Sequence, residues 1–407
     1  MGSDAQHPNI LFVLFDCMRS RMLFDPSRGA DIPTIRGVIE RGVAFDTCIA
    51  TATTTSPSMG TLFTGTLPPA HGVRSLRGYK LSPDVATIAE VLRDHGYHTH
   101  AEATGPVVKQ KAMDRGFEVF RHRNEVLYDE EYWASLQEQL AGMPTDRPWF
   151  FYLHLWELHW PRYLPRSYRR RRYGAHGYEQ ALSALDQLRL PRILELAEEG
   201  TVVAMTGDHG EVPRLDGMKN IARKLRLKRL GAWVGERSGH GFDVIEDLVT
   251  VPLVLAGPGV PAAGRVSTAV RHVDLFPTLL DLAGVDDPRS RQGPGTSLRP
   301  LFAGGGEDRP GYSEAVGVKI GAENWLVSVR DGGFKLVKRA AGEGRWLWKL
   351  PQEHVDVSGT YPEEVERLER VLSGLLSGAA LERTGEELSA GESAEVEAHL
   401  RDLGYID

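Results

Sequence analysis

Apolar positions in this chain alternate between two periods. Residues 9–15 (NILFVLF) form a continuous apolar run of strand length, the pattern of a strand buried on both faces. Helical spacing follows: Ile35, Val38 and Ile39 share one face of IPTIRGVIERG, and Ile88, Val91 and Leu92 share one of VATIAEVLRDHG, with Gly96 at a helix C-cap position. PWFFYLHLW (148–156) predicts another buried strand. Residues 178–200 predict a helix interrupted at Pro191, and GTVVAMTG (200–207) a strand directly after it. VPLVLAGPG (251–259) and HVDLFPTLLDLAG (272–284) add one more strand and helix. This alternation predicts an α/β fold with a central, mostly parallel sheet flanked by helices. Such sheets carry their chemistry on loops beyond the carboxyl ends of the strands.

The texture changes after Ala303. GGGEDRPG (304–311) reads as a linker, WLVSVRDGGFKLVKR (325–339) as a hairpin around an Asp-Gly-Gly turn, and residues 361–376 as an amphipathic helix with Val365, Leu368, Val371 and Leu372 on one face. The expected organisation is a catalytic α/β domain over 1–305 and a smaller C-terminal α+β subdomain over 306–407.

Composition narrows the function classes. A net charge of −7 gives no electrostatic footprint for nucleic acid. Two cysteines, Cys17 and Cys48, exclude a disulfide framework and suit a reducing compartment. No apolar run approaches membrane-spanning length, and the short polar start has no secretory signal character. The expectation is a cytoplasmic protein without a membrane or nucleic-acid partner.

Candidate chemistry sits just after predicted strands. Asp16 ends the first; Asp208 and His209 follow GTVVAMTG; His154, Glu157 and His159 end PWFFYLHLWELHWP. A lone Asp in such a place is commonly a helix cap or a salt-bridge partner. Two carboxylates and an imidazole gathered together could instead hold a divalent cation. ATTTSPSMGTLFTG (52–65) adds Thr53, Thr54, Thr55 and Ser56 in front of Pro57 and an apolar helix-like run. Hydroxyls there can cap the helix, and one of them can be a nucleophile.

In this order the motifs resemble the alkaline phosphatase superfamily, in its sulfatase and phosphonate/phosphodiester hydrolase branch. The resemblance runs through PNILFVLFD, SPSMGTLFTG with PPAHGV, LHLWELHWP, TGDHGE, SGHGFDVIEDLVTVPLVLAGPG, HVDLFPTLLDLAGV, GTSLRPLFAG and HLRDLGYID. It implies Asp16, Asp208 and His209 as metal ligands and Thr55 as the metal-bound attacking hydroxyl. It also implies His159 and His240 as contacts to the transferred group or aids to the leaving oxygen. Either histidine could instead be structural, or one could join Glu157 at a second metal, while His71 reads as structural.

The chain departs from the sulfatase pattern where it matters. Thr55 replaces the Cys or Ser that becomes formylglycine, and Met59 replaces the Arg of that motif. A threonine cannot give that aldehyde, because its β-carbon carries a methyl group. Phosphorus is therefore the expected centre: a phosphate mono- or diester, hydrolysed or transferred, as a small anionic substrate. Hydrolysis of sulfate or phosphonate esters by unmodified threonine is the alternative, and a non-catalytic binding protein retaining the fold is the second. Cys17 stands in place of a second Asp, which favours manganese or zinc over calcium or magnesium. Arg74 and Arg77 are candidate anion clamps; the basic stretch 213–239 reads as a solvated amphipathic helix or a lid over an anionic substrate, and 166–173 as a solvated face or a substrate rim.

Overall fold

The computed structural model describes residues 7–25, 29–160, 162–197, 200–212, 239–316, 325–376 and 386–403. The basic stretch expected as a lid (213–239) lies outside them, apart from Gly239.

The strands of the main sheet are β1 (Ile10–Phe15), β2 (Gly42–Ile49), β3 (His98–Thr104), β4 (Val119–Arg123), β5 (Trp149–Leu155), β6 (Val202–Gly207), β7 (Thr250–Ala256), β8 (Gly264–Val266) and β9 (Val270–Arg271). Their order is β4-β3-β5-β1-β6-β7-β2-β8, with β9 also on β2. Among these strands β7 alone runs antiparallel to its neighbours, β6 and β2.

β1 is apolar at every position because each face meets a core. Ile10, Phe12 and Leu14 pack on one side, with Met59, Leu62 and Phe63 of the helix Thr55–Thr64. Leu11, Val13 and Phe15 pack on the other, with the helices Pro33–Glu40, Glu130–Ala141 and Gly177–Leu188. Burying each such side chain contributes about 1.5–3 kcal/mol before entropy is counted.

Register then sets the functional end of the sheet. Phe15 lies opposite Leu155 of β5 and Gly207 of β6. The residues that leave these strands, Asp16 and Asp208 among them, therefore emerge side by side at one level.

A second, antiparallel sheet has the order β10 (Gly311–Ala315), β11 (Leu326–Asp331), β12 (Phe334–Arg339), β13 (Arg345–Lys349). The helix Pro362–Leu375 buries Val365, Leu368 and Leu372 against Val327, Val329, Leu336 and Leu347 of it. β10 also docks on the main sheet's loops, where Glu314 bridges Ala52 and exchanges backbone hydrogen bonds with Thr51 and Thr53.

Two sequence expectations change. The break in residues 178–200 falls at Arg189 rather than Pro191, since proline suits the first turn of the next helix, Leu190–Leu196, and disfavours helical backbone just before it. Strands β2, β3 and β4 were not foreseen: β3 (HTHAEAT) buries His100 and Glu102 in a polar network rather than presenting an apolar run.

Candidate active site

The helix Thr55–Thr64 is buried along its whole length, and its first turn faces the ends of β1 and β6. Its entrance is not capped as the hydroxyl cluster suggested. Thr54 occupies the N-cap in extended backbone without a side-chain cap bond, and neither Thr53 Oγ1 nor Thr54 Oγ1 has a hydrogen-bond partner among the described residues. Ser56 instead donates to the Pro106 carbonyl and Ser58 to that of Ala52. Gly65 ends the helix at φ 65°, where a β-carbon would come within 2.8 Å of Phe276.

Thr55 Oγ1 lies 3.3 Å from Asp16 Oδ2 and 3.3 Å from His209 Nε2. His209 donates from Nδ1 to the Gly210 carbonyl at 2.9 Å, which leaves the Nε2 lone pair facing Thr55. Asp208 Oδ1 accepts from the backbone N–H of Cys17 (3.0 Å) and of His209 (2.8 Å). All four residues are fully buried, apart from solvent.

The electrostatics of this cluster suit a bound cation. Asp16 Oδ1 and Asp208 Oδ2 accept no hydrogen bond among the described residues. Burial, then the charge of Asp16, raises the pKa of Asp208. Burial pushes Asp16 the same way, but the nearby His154, followed by His159 and His209, brings it well below the usual carboxylate range. One carboxylate keeps its charge at the other's expense. Ligand atoms of Asp16, Asp208 and His209 lie within 4.8 Å of one another. Buried oxygens without partners, converging with an imidazole lone pair and a hydroxyl, fit a divalent cation.

His159 and His240 stand at the edge of this cluster, with Nε2 atoms 3.2 Å apart. His240 donates from Nδ1 to Thr53 O at 3.2 Å, so its Nε2 accepts and His159 Nε2 donates. Burial lowers both pKa values, that of His159 to about 4. Trp156 stacks on His159 at 4.0 Å between ring centroids, and His240 lies against His209 at 4.3 Å.

Other expected residues lie elsewhere. Arg74 does not join the cluster: its guanidinium is buried on both carboxylate oxygens of Glu314, at 2.9 and 3.0 Å from Nε. Arg77 is partly exposed, 3.8 Å from Glu397. Glu157 is not a metal ligand beside His159, because its carboxylate accepts from Arg123 (2.9 Å) and from the Leu127 N–H (2.6 Å). His71 is structural, with Nδ1 accepting from the Val73 N–H, Nε2 donating to Thr61 and the ring filling the space beside Gly60. Met59 lies in the core, within hydrogen-bond reach of the Tyr152 hydroxyl.

The sequence reading missed three charged residues at this end of the sheet: Arg19, Arg162 and Glu211. Each follows a recognised residue (Asp16, His159 or Asp208) by three positions. That proximity is visible in sequence; the direction of a long side chain is not.

The family model described as Sulfatase matches residues 8–285. The chain belongs to the sulfatase family. It is a sulfatase-family hydrolase, from a family whose enzymes use divalent metal ions. It is similar to Arylsulfatase K of Rattus norvegicus, at 22% identity over 92% of this chain and 78% of that protein. In fold it is similar to the phosphonate monoester hydrolase SpPMH of Silicibacter pomeroyi (TM-score 0.71, 20% identity, 92% of this chain and 96% of that one). The phosphonate monoester hydrolase of Agrobacterium radiobacter is comparably similar (TM-score 0.69, 18% identity, 91% and 96%). Among the described residues no helix is long and apolar enough to cross a membrane.

Proposed function

We propose that this sulfatase-family protein is a metal-dependent hydrolase or phosphotransferase of a small anionic phosphate ester, mono- or diester, with Thr55 as nucleophile. The observation that carries the reading is the position of one oxygen, Thr55 Oγ1, 3.3 Å from both Asp16 Oδ2 and His209 Nε2 at a helix N-terminus. Asp16, Asp208, His209 and Thr55 would hold the ion, with manganese or zinc favoured by the donor set. Such an ion, when bound, acidifies the hydroxyl and neutralises charge on the ester's non-bridging oxygens.

The chain's own groups divide the remaining work. Backbone N–H groups at the helix entrance favour an anion beside Thr55. The hydroxyl donates toward Asp16 Oδ2, so its proton has an acceptor as the Oγ–phosphorus bond forms. The bond to the leaving oxygen breaks as that oxygen takes a proton from the His159–His240 pair, which an anionic ester beside it encourages to hold one. Water or another acceptor then attacks phosphorus and gives its proton to the histidine pair, the Oγ–phosphorus bond breaks, and Thr55 recovers its proton from Asp16.

A second reading, hydrolysis of sulfate or phosphonate esters by the unmodified threonine, is favoured by the family match and the similarity to Arylsulfatase K. Parallel turnover of aryl phosphate, phosphodiester, phosphonate and sulfate esters separates the two. We expect phosphate esters to lead, activity to vanish on chelation and return with manganese or zinc, and acid quenching to trap phosphate on the peptide carrying Thr55. A clear sulfate preference defeats the phosphoryl reading. Inactivity against the whole panel favours a binding protein.

A further inference from the structure

Beside the metal-type cluster lies a group of charges that the proposed chemistry does not use. Tyr178 donates its hydroxyl to the Cys17 carbonyl at 2.8 Å and accepts from the Arg19 N–H at 3.3 Å, which pins its ring against the loop that carries Asp16. Two guanidiniums lie over that ring, Arg19 with its central carbon 4.6 Å from the centroid and Arg162 at 5.1 Å. Arg162 is ion-paired to Glu211, which is buried on the loop that carries Asp208 and His209. Arg162 thus has its counter-ion.

Arg19 has none. It is 7% exposed, its Nε makes no hydrogen bond, and its guanidinium forms no ion pair among the described residues. Buried arginines are paired almost without exception, because an uncompensated buried cation is costly. The face of Tyr178 offsets part of that cost, and the neighbouring Arg162 adds repulsion. Among the described residues two guanidiniums here share one carboxylate, Glu211, beside the loop ends of β1 and β6 that carry Asp16 and Asp208. Guanidinium geometry matches a planar or tetrahedral oxyanion.

We propose that Arg19, supported by Arg162 and the Tyr178 ring, is a second anion subsite, so that the substrate carries another oxyanionic group (carboxylate, phosphate or sulfate) near the ester that is cleaved. This rests on the reading of the site as an ester hydrolase and narrows its substrate to a molecule with at least two negative groups. A simple aryl ester is then a poor mimic of the natural substrate.

The test is equilibrium binding in the metal-loaded Thr55→Ala protein, which holds an ester without turning it over. The probes are 3-carboxyphenyl phosphate and 3-carbamoylphenyl phosphate, together with the corresponding sulfates. Binding is expected to be about tenfold tighter or more for the carboxylate member of a pair. Arg19→Gln in the same background should bring that ratio close to one, whereas Arg19→Lys, which keeps the charge, should retain part of it. Equal binding of both members, or a preference that survives Arg19→Gln, overturns the proposal. Because binding is read without turnover, a subsite can be found or refuted whether or not Thr55 is the nucleophile. Failure of the wild-type protein to turn over any ester would count against the catalytic reading alone.

Discussion

Two buried clusters of charge flank the segment that leads into the helix Thr55–Thr64, and they are built on opposite rules. On one side Arg74, Glu314 and Tyr312 satisfy one another: Glu314 takes Arg74 on both oxygens and the Tyr312 hydroxyl at 2.7 Å. On the other, Asp16 and Asp208 each keep an oxygen without a hydrogen bond and repel one another. Breaking a buried pair by removing one partner is expensive, so the first cluster resists change and holds the loop. The second is costly as it stands and becomes favourable when something cationic enters. Completeness marks architecture, and incompleteness marks a place for a ligand.

The strongest way to break this comparison is at the hydroxyl. Thr55→Ala should lower turnover about a thousandfold or more while leaving the thermal midpoint nearly unchanged, as measured by steady-state kinetics and calorimetry. A variant that loses stability instead would show that Thr55 belongs with the architecture.

Next comes the paired cluster. Glu314→Ala should cost about 3–5 kcal/mol in denaturant unfolding, and Arg74→Met combined with Glu314→Leu should recover most of it. If the single variant unfolds no more easily than wild type, the clamp is not structural.

Protonation offers a smaller effect with a definite sign. Burial, then Arg74, lowers the His71 pKa to about 3. The folded state keeps His71 neutral while the unfolded chain binds a proton below about 6.5, so stability falls as the pH drops from there toward 3. The total is a few kcal/mol. His71→Asn should flatten the slope of unfolding free energy against pH by close to one proton, as read from denaturant melts at several pH values.

The smallest effect sharpens the contrast most. The raised pKa of Asp208 makes its charge destabilising above the carboxylate's ordinary value. In metal-free protein, Asp208→Asn should therefore raise stability by about 1 kcal/mol near pH 8 and change little near pH 4. Added metal should reverse the order, with the wild type gaining thermal stability that the variant does not.

Much of this was legible in sequence because apolar runs mark the strands that matter. β1 is wholly apolar and β5 and β6 are apolar over most of their length, and the candidate ligands follow directly after β1 and β6. β3 was not legible because Thr, His and Glu stand where a buried strand usually has Val and Leu: Glu102 is met by His100, Tyr132 and Arg121, and Thr99 donates to the Gly116 carbonyl. Arg74 shows the other limit. An arginine near a recognised motif reads as an anion clamp until a glutamate 240 positions away is seen to occupy it. Pairings between distant segments, and the aim of long side chains such as Arg19, follow from the completed fold rather than from local pattern.

The docking of β10 has a consequence for how this protein is made. Ser313 donates to the carbonyl of Ala50, 263 positions earlier, and Glu314 fixes the backbone of Thr51 and Thr53. A chain leaving the ribosome exposes the loop before Thr55 well ahead of the strand that braces it, since Ser313 follows Ala50 by 263 positions. Contacts of such long sequence separation form late, so the segment before Thr55 is locked only once β10 has emerged.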